Sequence, residues 1–167
     1  MKARVVIRAP VPADLPAFVA AAKASAKLHR PWVAAPATPQ KFREWFKSVS
    51  TPRKQAFLVC RKDDGALAGV INMSEIVRGN FRSAYLGYYA FAGHERQGLM
   101  AEGMRAVVRH AFTKMKLHRL EANIQPGNAA SLALARACGF RKEGFSPKYL
   151  KIGGRWCDHE RWAIVAG

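Results

Sequence analysis

Acidic residues are scarce. The 167 residues carry 11 Asp and Glu against 28 Lys and Arg, a formal net charge of +17. Such a balance repels polycations and attracts polyanions such as RNA, or a phosphate-rich ligand. It also suits a surface that is merely well solvated, because the basic residues are spread along the chain and form no arginine-rich arm. Cysteine is nearly missing. Cys60, Cys138 and Cys157 stand far apart, with no CxxC pair and no zinc spacing. That argues against a disulfide scaffold and a metal site, and predicts reduced thiols with at least one in the core. No apolar run approaches the roughly 20 residues of a membrane span. The basic stretch Met1–Arg8 is too short in apolar residues for a signal peptide. No membrane partner is expected, and the expected location is the cytoplasm. Internal repeats and low-complexity linkers are lacking too. What is present is a 50% apolar composition, enough for a buried core, so one domain over residues 1–167 is expected.

Punctuation along the chain predicts its elements. Arg4 to Arg8 reads as a strand ended by Pro10 and Pro12. An Ala-rich helix follows from Asp14 to about Leu28, broken by Arg30-Pro31. Thr38 and Pro39 are an N-cap and first-turn pair for a helix over Gln40 to Ser48. Strands are expected at Gln55–Arg61, Leu67–Val77 and Ser83–Phe91, with turns at Asp63-Asp64-Gly65 and Arg78-Gly79-Asn80. A helix from Leu99 to Met115, a strand at Arg119–Ile124 and a helix from Asn128 to Cys138 closed by Gly139 come next. Two strands around Gly153-Gly154 end the chain. Hairpins mixed with strand–helix–strand crossovers predict an α/β (α+β mixed) domain on one mixed sheet.

The loop Gly93-His94-Glu95-Arg96-Gln97-Gly98 lies between a strand and a long helix. A helix start offers unpaired backbone N–H groups and the positive end of the helix dipole. Gly98 lets backbone approach a ligand, Arg96 adds charge, and a diphosphate fits such a terminus. An ordinary helix start has the same features. Neither GxxxxGK(S/T) nor GxGxxG occurs, so other phosphate loops are excluded.

Several ordered segments carry a family likeness. Gln97-Gly98-Leu99-Met100 is similar to the coenzyme loop of Rim-type acetyltransferases, although of the general Gln/Arg-x-x-Gly-x-Gly/Ala pattern only Gly98 is kept. Asn72 to Phe81 with Tyr85-Leu86-Gly87-Tyr88 resembles the preceding strand pair. His118 to Asn123, then Asn128-Ala129-Ala130-Ser131, Cys138-Gly139-Phe140, Glu143-Gly144-Phe145, and Tyr149-Leu150 through Asp158-His159 follow in the family's order. The chain resembles the GNAT superfamily of N-acetyltransferases, and within it the Rim-type (RimJ/RimL-like) enzymes that acetylate N-termini of ribosomal proteins. Arg30-Pro31-Trp32 resembles a substrate-side element.

The resemblance implies a GNAT fold, a central, mostly antiparallel twisted sheet of about seven strands flanked by about four helices. It implies acetyl-coenzyme A as cofactor, held by Tyr89, Ala90, Phe91, Arg96, Gln97, Gly98, Leu99, Met100, Ala101 and Asn128. A backbone N–H near Ala90 would hold the acetyl oxygen, Asn128 would touch the pantetheine arm or cap its helix, and Ser131 would be the general acid. A tyrosine acid used by many relatives falls on Ala135 and is lost. Glu121 and Glu75 are the candidate bases, and an α-amine near pKa 8 needs little help from one. The expected partner is a protein N-terminus, with possible association with ribosome or RNA, in a monomer or homodimer. Two other readings stay open: acetylation of a small amine such as a polyamine or antibiotic, and a non-catalytic basic ribosome-associated module.

Overall fold

A computed structural model describes residues 2–167. The chain runs β1 (Val5–Arg8), α1 (Leu15–Ala24), α2 (Ala26–His29), α3 (Pro39–Ser48), β2 (Ser50–Thr51), β3 (Lys54–Arg61), β4 (Leu67–Val77), β5 (Ser83–Ala90), α4 (Leu99–Thr113), β6 (Arg119–Ile124), α5 (Ala129–Ala137), β7 (Arg141–Ile152) and β8 (Arg155–Val165). One sheet holds all the strands in the order β1-β3-β4-β5-β6-β8-β7, with two-residue β2 on β3. Every pairing is antiparallel except β5 with β6. The mixed, mostly antiparallel sheet agrees with the expected architecture. The counts differ slightly, because short β2 and a divided first helix add elements. Among the described residues, no helix is long and apolar enough to cross a membrane.

Two hydrophobic layers cover the sheet. Side chains alternate along a strand, so β5 sends Ala84 and Leu86 to one face, with Tyr88 and Ala90 packed at its margin, and Tyr89 and Phe91 to the other. The first group joins Leu120, Ala122 and Ile124 of β6 and Met104, Val107 and Ala111 of α4. The second meets Phe18 and Ala22 of α1 and Phe42 of α3. Thr38 caps α3 as its sequence predicts, its Oγ1 accepting the Lys41 N–H at 3.2 Å.

The long helix expected over Asp14–Leu28 is interrupted at Ser25. The Ser25 hydroxyl donates to the Ala21 carbonyl at 2.6 Å and accepts the Ala92 N–H at 2.8 Å. A side chain that bonds back onto its own helix bends it, and here the bend is held by the turn after β5, far away in sequence. Phe18, Ala22, Ser25 and His29 are all buried and spaced by three or four residues, so they form the inward stripe of α1 and α2. Cys60 and Cys138 are buried and Cys157 is partly covered, all as thiols.

Candidate active site

The opening in the sheet comes from strand register. β5 and β6 pair over only four residues, from Ser83↔Arg119 to Leu86↔Ala122. Beyond that point β5 continues to Ala90 against β4, and β6 continues to Ile124 against β8. Their facing edges diverge from Gly87 and Asn123 onward. Phe91 N–H donates to Ala68 O at 2.8 Å on the β4 side. Alternation therefore turns the N–H and C=O of Ala90 toward the opening. The Ala90 carbonyl is met there by His29 Nε2 at 2.8 Å, while the Ala90 N–H faces the gap.

The coenzyme-loop candidates fall beside the end of β5. Arg96 and Gly98 both hold left-handed backbone, at φ 60° and 76°. At Gly98 this is the N-cap of α4, a conformation glycine adopts without a Cβ penalty. Leu99 and Met100 are buried, so their side chains anchor α4 in the core and only their N–H groups face outward. Tyr89 and Phe91 are likewise buried, so they too can meet a ligand only through backbone. Glu95, Arg96, Gln97 and Gly98 are exposed. Gln97 Nε2 donates to Gly93 O at 2.9 Å and braces the loop. Glu102 accepts from both the backbone and the guanidinium of Arg4, which ties the first turns of α4 to the start of β1. That contact holds the Glu102 carboxyl below its ordinary range.

Across the opening, α5 begins at Asn128. Its Oδ1 accepts the Ser131 N–H at 3.2 Å, so the side chain is a helix cap. Tyr88 Oη reaches over from β5 and donates to the Ser131 carbonyl at 3.0 Å. Burial pushes the Tyr88 phenol up to about 12, which keeps it a neutral donor. Ser131 is half-buried, and Tyr88 holds it at the mouth of the opening. Asn128 and Ser131 thus stand together.

Glu121 and Glu75 do not join them. Both lie near the Tyr85 hydroxyl on the opposite sheet face. The Tyr85 pKa is raised mainly by burial and then by Tyr149, Glu121 and Glu75, so those three groups lie close to its hydroxyl. Glu121 is ion-paired to Arg119 at 2.8 Å, and Arg119 also grips Glu143. Glu75 is exposed, with φ at 48°, and pairs with Arg53 at 3.0 Å. Asn123 stands on the same β6 face as Glu121. Over the β6–α5 loop, the Trp32 ring lies so close that a methyl at Gly127 would sit 3.1 Å from it. Ser25 and His29 belong to none of the motifs, and Tyr88 is singled out only as part of a strand. A polar pair closing the apolar stripe of an Ala-rich helix was the available signal for the first two.

The site is thus a sheet opened in its middle, with a glycine-capped helix at one lip and a second helix start at the other. The profile of the family described as "Acetyltransferase (GNAT) domain" matches residues 4–141, and the chain belongs to that family. It is 40% identical over 103 residues to the [Ribosomal protein uS5]-alanine N-acetyltransferase of Escherichia coli, covering 62% of this chain and 53% of that one. It is 38% identical over 109 residues to the Bacillus subtilis protein named "Probable N-acetyltransferase YjcK", covering 65% and 60%. The matched part thus spans little more than half the length of these relatives. Among solved structures, Mycobacterium smegmatis RimJ in complex with CoA-disulfide superposes with a TM-score of 0.89 at 26% identity, over 97% of this chain and 82% of that one. The Vibrio cholerae spermidine N-acetyltransferase in complex with CoA and spermine gives 0.79 at 20% identity, over 98% and 96%; that likeness is one of fold.

Proposed function

We propose that the chain, acting as one unit over residues 1–167, moves an acetyl group from acetyl-coenzyme A to an amine. The preferred acceptor is the N-terminal α-amine of a protein, a ribosomal protein above all. The observation that carries this reading is the divergence of β5 from β6 between the starts of α4 and α5. The free edge of β5 offers backbone to an extended amide-bearing arm, and the open N–H groups beyond Gly98 suit a diphosphate. Bound there, acetyl-coenzyme A supplies an activated thioester.

The protein's own groups then have simple tasks. The Ala90 N–H holds the acetyl oxygen as negative charge grows on it. As the C–N bond forms and the C–S bond breaks, the Ser131 hydroxyl gives its proton to the departing sulfur. It recovers a proton from solvent. The amine must arrive neutral. An α-amine has a pKa roughly two units below that of lysine, so a useful fraction is neutral near pH 7. Its surplus proton leaves through water toward Glu121 or Glu75.

A second reading has one observation in its favour. The cluster of Glu75, Tyr85, Glu121 and Tyr149 is acidic and phenolic in an otherwise basic protein, which suits a small polyamine. The overall charge opposes it. Association with RNA in the cytoplasm is a further part of the reading. Arg78, Arg82, Lys114 and Lys116 gather at the Ser83 end of β5, away from the opening, where coenzyme phosphates have no use for them. Binding to RNA that weakens steeply with added salt would support it.

The test is a panel of peptides with free and blocked N-termini, alongside spermidine, incubated with acetyl-coenzyme A and followed by mass. Acetylation of free N-termini is expected. A rise in melting temperature with acetyl-coenzyme A is expected from ligand linkage, and its absence at saturating concentration rejects both enzyme readings.

A further inference from the structure

Among the described residues, two buried side-chain polar atoms on one face of β6 and β8 have no hydrogen-bond partner: Asn123 Oδ1 and Arg161 Nε. Unsatisfied buried polar groups are costly and rare, and each calls for an explanation. Asn123 and Arg161 are register partners in the β6–β8 pairing. Their neighbours Ala122 and Trp162 face the main core, so both point to the opposite face, the one that carries Tyr85 and Glu121. Asn123 is also the first residue of β6 beyond its pairing with β5, which sets it at the edge of the opening.

The room for Arg161 is built in. A Cβ at its β7 neighbour Gly144 would lie 2.4 Å from Arg161 Nη2, and β7 shifts register between Lys142 and Gly144. The guanidinium lies in the space a side chain would otherwise fill. Glu143 feels its charge, but the hydrogen bonds of Glu143 go to Arg119.

We propose that Asn123 and Arg161 read the α-amino carbonyl unit of the acceptor, Asn123 Oδ1 accepting from the amine and Arg161 donating to the first carbonyl. In an extended residue the N–H and C=O point to the same side, a few ångströms apart, and neighbouring strands are about 4.8 Å apart. An acceptor crossing β6 and β8 with its amine at the opening meets the two side chains in that order. A polyamine has no carbonyl, and its second ammonium meets the guanidinium as a like charge. Arg161 is thereby a specificity residue. This inference rests on the N-terminal reading and adds to it a named source of selectivity.

The experiment measures kcat and KM for a free N-terminal peptide, for an alkylamine lacking the carbonyl and for spermidine, in wild type, Arg161→Gln and Arg161→Lys. For Arg161→Gln, peptide kcat/KM is expected to fall on the order of 10- to 100-fold, the loss of a charge-assisted hydrogen bond, mostly through KM. Alkylamine turnover and the KM for acetyl-coenzyme A should stay within about twofold, since neither uses that bond. Spermidine turnover should rise, and Arg161→Lys should restore part of the peptide rate. An unchanged thermal shift with acetyl-coenzyme A establishes that each variant is folded. If wild type acetylates the peptide and Arg161→Gln does so equally well, the assignment of Arg161 is wrong while the N-terminal reading stands. If wild type acetylates spermidine and no peptide, both fall.

Discussion

The two faces of β5 and β6 differ in kind. On the α4 and α5 side, β5 and β6 present Ala84, Leu86, Leu120, Ala122 and Ile124, all buried among aliphatic neighbours. On the other side the same two strands present Tyr85, Tyr89, Glu121 and Asn123, with charges, phenols and unpartnered atoms. Alternation along one strand separates residues that stabilise from residues that recognise. Leu120 and Glu121 are neighbours in sequence, yet they serve opposite faces. A buried apolar face gains from filling every gap, whereas a binding face must leave groups unsatisfied until a ligand arrives.

That contrast can be broken from either side. Leu120→Ala, at a fully buried position, should cost about 2–5 kcal/mol of stability through lost burial and a cavity, read as a lower denaturant midpoint. Glu121→Gln beside it should change stability by less than about 1 kcal/mol and act on acceptor turnover. Equal losses of stability in the two variants would erase the distinction. Ser131→Ala should lower kcat by about a hundredfold, the low end for a general acid, with the melting temperature nearly unchanged. Full kcat in that variant would remove Ser131 from the chemistry. His29→Ala leaves the Ala90 carbonyl without its partner and should cost about 1–3 kcal/mol while raising the KM for acetyl-coenzyme A. A stability loss with no change in KM would make His29 purely a packing residue.

The smallest effect is remote from both faces. Arg8 holds the Asp14 carboxylate through two hydrogen bonds of 2.8 and 2.7 Å, and the Asp14 pKa lies below its ordinary value, first because of Arg8. A depressed carboxylate pKa stabilises the fold above the unfolded value, near 3.9, and the gain is lost as pH falls through the folded value. Asp14→Asn should therefore cost about 1 kcal/mol near neutrality. The gap in melting temperature from wild type should close below about pH 4. A gap that persists in acid would assign the effect to something other than ionisation.

Much of this was legible in the chain. Leu67–Val77 and Arg119–Ile124 read as strands with the observed ends because turn residues bracket them. Thr38 announced its cap, and Asn128 and Ser131 were placed at a helix start that does border the opening. What escaped has one physical cause, dependence on a partner remote in sequence. The helix break at Ser25 needs the Ala92 N–H. The inward turn of His29 needs the Ala90 carbonyl. Arg161 is one of 28 basic residues in the sequence, and only the register of β6 with β8 and the bare space at Gly144 single it out. Glu121 and Glu75 are candidate bases by residue type, and their ion pairs with Arg119 and Arg53 could not be read from spacing.

The four-residue junction of β5 with β6 has a mechanical consequence. It divides the sheet into one leaf of β1, β3, β4 and β5 and another of β6, β8 and β7. The first strand of the chain belongs to one leaf and the last to the other. A force pulling the two termini apart is therefore carried across this four-residue seam, with α4 and α5 as its backing. A molecule bridging the seam acts as a rivet, and its presence should register as a higher rupture force.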